Sequence, residues 1–112
     1  MGSLHHILPA TAWTAAVQEG HYAPPSLGSQ GFIHLSAPHQ VLGTANRFYR
    51  DAPDLLLLTV DEAALGAALR WEEGEPGELF PHLHRRLAVS EVTAVSQLLG
   101  DPDGVFRRLG DP

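Results

Sequence analysis

Asp54–Asp61 reads DLLLLTVD, and this stretch decides the fold. Leu55–Leu58, Thr59 and Val60 form an unbroken apolar run bounded by acids. Such a run is too short for a helix and too apolar for a strand with one wet face, so it predicts a strand buried on both sides. Layers must therefore cover it from above and below.

Working outward, each flank supplies such a layer. Leu4–Leu8 reads as a first strand, although His5 and His6 interrupt its apolar residues. Thr11 suits a helix N-cap, Trp13, Ala16 and Val17 recur at helical spacing, and Gly20 supplies the stop. His21–Ser29, with Pro24, Pro25 and Gly28, reads as a loop. Gly31–Ser36 alternates as a strand, with Ile33 and Leu35 on one face and Phe32, His34 and Ser36 on the other. Pro38 fits a helix first turn, and Val41, Leu42, Ala45 and Phe48 give an apolar stripe running to about Arg50. Asp61 reads as a strand-end cap before a helical turn over Ala63–Leu69.

Beyond that turn, Arg70–Glu72 reads as a short strand and Glu73–Glu78 as an acidic turn. Phe80–Leu87 is a strand that Pro81 places at an edge or at its own start. The spacing in Glu91–Leu98 fits a strand or a helix, and Asp103–Leu109 suggests a terminal helical turn. Two or three helices among five or six strands, some of them open to parallel pairing, predict one α+β domain over residues 1–112.

Composition narrows the chemistry. The chain is 44% hydrophobic and 18% charged, as an ordered domain requires. It holds no Cys, which excludes thiolate nucleophiles, iron–sulfur clusters and Cys-based zinc sites. All seven basic residues are Arg, so lysine Schiff-base and P-loop chemistry are excluded. A net charge of −6 argues against duplex nucleic acid as a partner. No apolar run spans a membrane and no leader pattern opens the chain, so a soluble cytoplasmic protein is expected.

The seven histidines match the arginines in number. His82-Leu83-His84 puts two imidazoles on one strand face, which with His34 and His6 invites a metal reading. No carboxylate stands at a ligand spacing beside them, and no metal is expected. His5 and His6 face opposite ways on a strand, so only one can enter a shared pocket. His21 and His39 read as loop and helix-surface residues. Ser36 near His34 lacks a nucleophile elbow, and no glycine fingerprint follows a strand. Glu72 reads as the ion-pair partner of an arginine. Arg47 suits either a surface ion pair or a phosphate.

The blocks GFIHLS (Gly31–Ser36), Gln40, TANRFY (Thr44–Tyr49), LLLLTVD (Leu55–Asp61), LRWE (Leu69–Glu72) and FPHL (Phe80–Leu83) resemble the small bacterial proteins called domain of unknown function nine-five-two. The resemblance runs from about His6 to Val95. Position 84 departs from it: the family often reads FPHLYG where this chain has FPHLHR. The family is thought to share the ADP-ribosyltransferase-like fold, which implies two small packed sheets around a cleft for NAD. On that resemblance His6, His34 and His82 are the catalytic positions. Ser36, Thr44, Asn46, Arg47, Trp71 and Glu72 would contact a nucleotide-like ligand. His6 and His34 would orient ribose hydroxyls, His82 would act in acid–base chemistry or as a hydrogen-bond donor, and Arg47 would meet phosphate. Phe32, Tyr49 or Trp71 would stack on a ring. The resemblance thus implies binding of NAD or a related ribonucleotide, with transfer or hydrolysis of ADP-ribose, or else a binding domain without turnover.

Overall fold

A computed structural model of the chain describes residues 2–109. The doubly buried strand is β4 (Leu55–Asp61), centred in a sheet of order β1–β4–β8, with β1 spanning Ser3–Pro9 and β8 Val92–Leu98. Leu56, Leu58 and Val60 face one core with Leu4, Leu8, Ile33 and Leu83. Leu55 and Leu57 face a second core with Ile7, Val41, Ala45 and Phe106. The unbroken apolar run follows, because a strand with two covered faces cannot alternate.

Among the described residues all the strand pairings are antiparallel, and three sheets form rather than two. The second joins β2 (His21–Tyr22) to β7 (Leu87–Ala88), and the third has the order β3–β6–β5. In it β3 is Ile33–His34, β5 Leu69–Glu75 and β6 Glu78–Leu83. β5 and β6 form a hairpin turned by Pro76 and Gly77, whose φ of 81° only glycine adopts freely. The acidic segment is therefore mostly strand. Pro81 lies within the central strand of its sheet, not at an edge. Leu35 N–H donates to the Pro81 carbonyl at 3.0 Å, and the proline nitrogen on that same side returns no bond, so the pairing with β3 stops there.

Four α-helices are formed among the described residues: α1 (Ala10–Glu19), α2 (Pro25–Ser29), α3 (Val41–Phe48) and α4 (Glu62–Leu65). α1 begins before Thr11, because the Asp54 carbonyl accepts from Ala10 N–H at 2.8 Å and replaces a side-chain cap. Gly20 ends it at φ 85°, as its position requires. α2 overturns the loop expected at Pro24-Pro25: Pro25 occupies a first-turn position, where its missing N–H costs nothing. Asp61 caps α4 through Ala63 N–H.

The strand expected over Phe80–Leu87 splits into β6 and β7. The segment Glu91–Leu98 resolves as strand from Val92 onward. The terminal segment forms no helix. Phe106 is buried there, and Asn46 brackets it by donating to its carbonyl and accepting from its N–H, both at 2.7 Å. Gly110–Pro112 lie outside the described residues. No helix among those residues is long and apolar enough to cross a membrane.

A histidine-lined cleft as candidate functional site

β1 carries His6 between Leu4 and Leu8 on the face of the first core, buried but at the cleft floor. Its Nδ1–H donates to the His34 carbonyl at 2.6 Å, and its Nε2 accepts from the Tyr22 hydroxyl at 2.8 Å. A carbonyl only accepts, so the tautomer is set. One imidazole thus ties β1 to β2 and β3, a member of each sheet. Burial lowers its pKa from 6.5 to about 4 and raises that of Tyr22. With both nitrogens engaged, His6 has none left for a ribose hydroxyl. His5 turns the other way, to Thr59 Oγ1 at 3.2 Å.

Above His6 and Tyr22 opens a cleft of about 1630 Å³. This exceeds the roughly 300–1,000 Å³ of ordinary small-molecule pockets, so an extended ligand fits. One wall is α1 with the segment through α2, and the other is α3 with the β5–β6 hairpin. α3 and the turn before it present His39, Gln40, Gly43, Thr44, Arg47 and Phe48 to the cleft at helical spacing. Val41 and Ala45 turn inward. Phe48 was expected on the inner stripe, but the packed face follows Val41, Ala45 and Tyr49, and Phe48 is 67% exposed.

The hairpin is moored by Gln40, whose Nε2 donates to Glu78 Oε2 at 3.0 Å and to the Leu79 carbonyl at 2.9 Å. Its Oε1 accepts from Ala37 N–H. Arg47 pairs with Glu75 on the same hairpin. Gly43 faces open space, since nothing lies within 4 Å of a Cβ built there. A mid-helix glycine costs about 1 kcal/mol relative to alanine. Gly43→Ala should therefore raise the unfolding free energy by about 0.5–1 kcal/mol in urea titration; a loss of stability would show that this wall is already full.

β6 brings His82 to the cleft, 5% exposed and stacked on Phe32 with ring centres 3.9 Å apart and planes at 10°. Its Nδ1–H donates to Glu72 Oε1 at 2.9 Å, and His84 Nε2–H donates to the same oxygen at 2.7 Å. The imidazoles of His84 and His82 hold the Glu72 carboxyl below its ordinary range. Among the described residues every buried side-chain nitrogen and oxygen has a partner. His82 Nε2 has no hydrogen-bond partner among the described residues and so is not fully buried; His82 lines the cleft, and with Nδ1 protonated this nitrogen carries the ring's lone pair. His34 stands edge-on, 5.5 Å from His82, and donates from Nε2 to Gln30 Oε1 at 2.5 Å. Burial and the neighbouring His82 lower its pKa.

The structure therefore gathers His6, His34, Ser36, Thr44, Arg47 and His82 around one cleft. Ser36 and Thr44 meet through their hydroxyls at 3.3 Å. Glu72 stands behind His82 rather than against an arginine. Asn46 and Trp71 lie elsewhere: Asn46 clamps Phe106, and Trp71 Nε1 donates to Glu62 on the outer surface. His21 and His39, read from sequence as loop and surface, both line the cleft. Tyr22, Gln30, Phe48 and Glu75 also line it, and no local pattern singled them out. No three His, Cys, Asp or Glu side chains among the described residues converge as metal ligands. The Glu72 oxygen instead accepts two imidazole N–H groups.

The family profile described as Protein of unknown function (DUF952) matches residues 7–95. The crystal structure of protein CC0527 from Caulobacter crescentus is similar, with 40% sequence identity and a TM-score of 0.88 over 94% of this chain and 93% of that one. The solution NMR structure of CC0527 gives 41% identity and a TM-score of 0.85 over 96% and 93%. Curated proteins give no match.

Proposed function

We propose that this chain, which belongs to the DUF952 family of proteins of unknown function, binds NAD or a related ribonucleotide in its histidine-lined cleft and releases nicotinamide from NAD. The observation that carries this reading is the Glu72–His82 pair, which holds a basic nitrogen at the cleft wall beside Phe32 and His34. Breaking the bond between ribose C1′ and the nicotinamide nitrogen sends the electron pair to the departing neutral ring. Positive charge is left on the ribose. Water or an acceptor hydroxyl then bonds to C1′, and its proton passes to His82 Nε2. Glu72, bonded to Nδ1–H, steadies the imidazolium that results. His34 Nδ1 accepts from a ribose hydroxyl while its Nε2–H is occupied by Gln30. Ser36 and Thr44 add hydroxyls to the floor, and Arg47 receives phosphate.

Thermal unfolding at pH 8 with NAD, ADP-ribose and nicotinamide tests binding. A ligand at 100 times its Kd adds about 2.7 kcal/mol, several degrees for a domain of this size. His34→Ala should weaken binding while leaving the unliganded melting temperature nearly unchanged, because that side chain is exposed. His82→Ala should abolish nicotinamide release. Binding without release would make the chain a ligand-binding module, and no shift with NAD or ADP-ribose would refute the proposal.

A further inference from the structure

We infer that Arg47 and Phe48 form a seat within this cleft for an aromatic ring that carries an anionic group, and that its ligand is a nucleotide. This seat rests on the nucleotide reading of the cleft and extends it to two residues whose geometry packing does not explain. Phe48 ends an amphipathic helix yet leaves its ring in water at the cleft wall. A large apolar ring in that position gains free energy when another ring covers it, and every nucleobase offers a π-face. The Arg47 guanidinium carbon lies over the Phe48 ring, 5.8 Å from its centre, so cation and ring present one composite surface.

Glu75 occupies the guanidinium now. A carboxylate meets arginine with the same fork geometry as a phosphate, so Glu75 is an internal stand-in for the ligand's anion. Arg47 is 59% exposed, and an ion pair in water holds weakly. A phosphate can therefore displace Glu75. Gln40 keeps the hairpin moored through Glu78 and Leu79, so the exchange needs only the Glu75 side chain to swing away.

Calorimetric titrations of the full chain with AMP, adenosine and inorganic phosphate test the seat. AMP should bind more tightly than either fragment. Phe48→Ala should weaken AMP roughly tenfold without changing the melting temperature. Glu75→Gln should tighten AMP several-fold and leave adenosine unchanged. Unaltered AMP affinity in either variant overturns the seat, and so does failure of the parent and Glu75→Gln proteins to bind AMP. If NAD binding survives Phe48→Ala but falls in His34→Ala, the cleft reading stands without this seat. If AMP behaves as expected and neither NAD nor ADP-ribose binds, the seat stands and the wider reading falls.

Discussion

Acidifying the protein from pH 6.5 to pH 4 should cost it about 3 kcal/mol of folding stability through His6 alone. The folded state holds this imidazole neutral, with a pKa of about 4 against 6.5 when unfolded. Between those values the unfolded chain binds the extra proton, so stability rises with pH through the window. It is complete above 6.5 and lost as pH falls toward 4. His5 and His34, also lowered by burial, act in the same direction. The carboxyls of Glu72, Glu91 and Asp103 are held low by their partners, so their loss comes at still lower pH. Urea unfolding at pH 7, 6 and 5 isolates the histidine window. His6→Phe should be less stable at pH 7, because Tyr22 and the His34 carbonyl lose their partner, and should show a flatter pH dependence. An equally steep dependence in the variant would remove His6 as the cause.

Leu58→Ala should cost about 3–4 kcal/mol, a large share of the roughly 5–15 kcal/mol that holds a domain together. Leu58 is fully buried at the middle of β4, opposite His6 on β1 and Val95 on β8. Strands on both sides fix its surroundings, so the cavity cannot collapse. Leu56→Ala, on the same face but half-buried, should cost less than half as much. Equal losses at the two positions, read from urea midpoints at constant m-value, would contradict the placement of β4 at the centre.

Elements whose burial repeats along the chain were legible from sequence. β4, β1, α1 with its Gly20 stop, and the alternation of Ile33 and Leu35 were expected where they stand. Misreadings arose where a distant group replaced a local signal. The Asp54 carbonyl capped α1 in place of Thr11, and Phe106 drew the terminal segment into a core through Asn46 rather than into a helix. Phe48 satisfied the helical period but met solvent, because the stripe turns toward Tyr49 at its end.

The candidate site divides in the same way. Residue types and strand alternation marked His34 and His82, and they indicated that only one of His5 and His6 could enter a pocket. Sequence by itself thus determined the α+β class, a sheet with two covered faces, the excluded chemistries and a surplus of imidazoles. Only the tertiary structure decided that His6 is a buried pin, that Glu72 sets the tautomer of His82, and that Glu75 holds Arg47. The physical reason is that burial is written in the local order of apolar residues. A histidine's role depends instead on which nitrogen is bonded. For His6 and His82 those bonds reach 10 to 28 positions along the chain, where no local pattern records them.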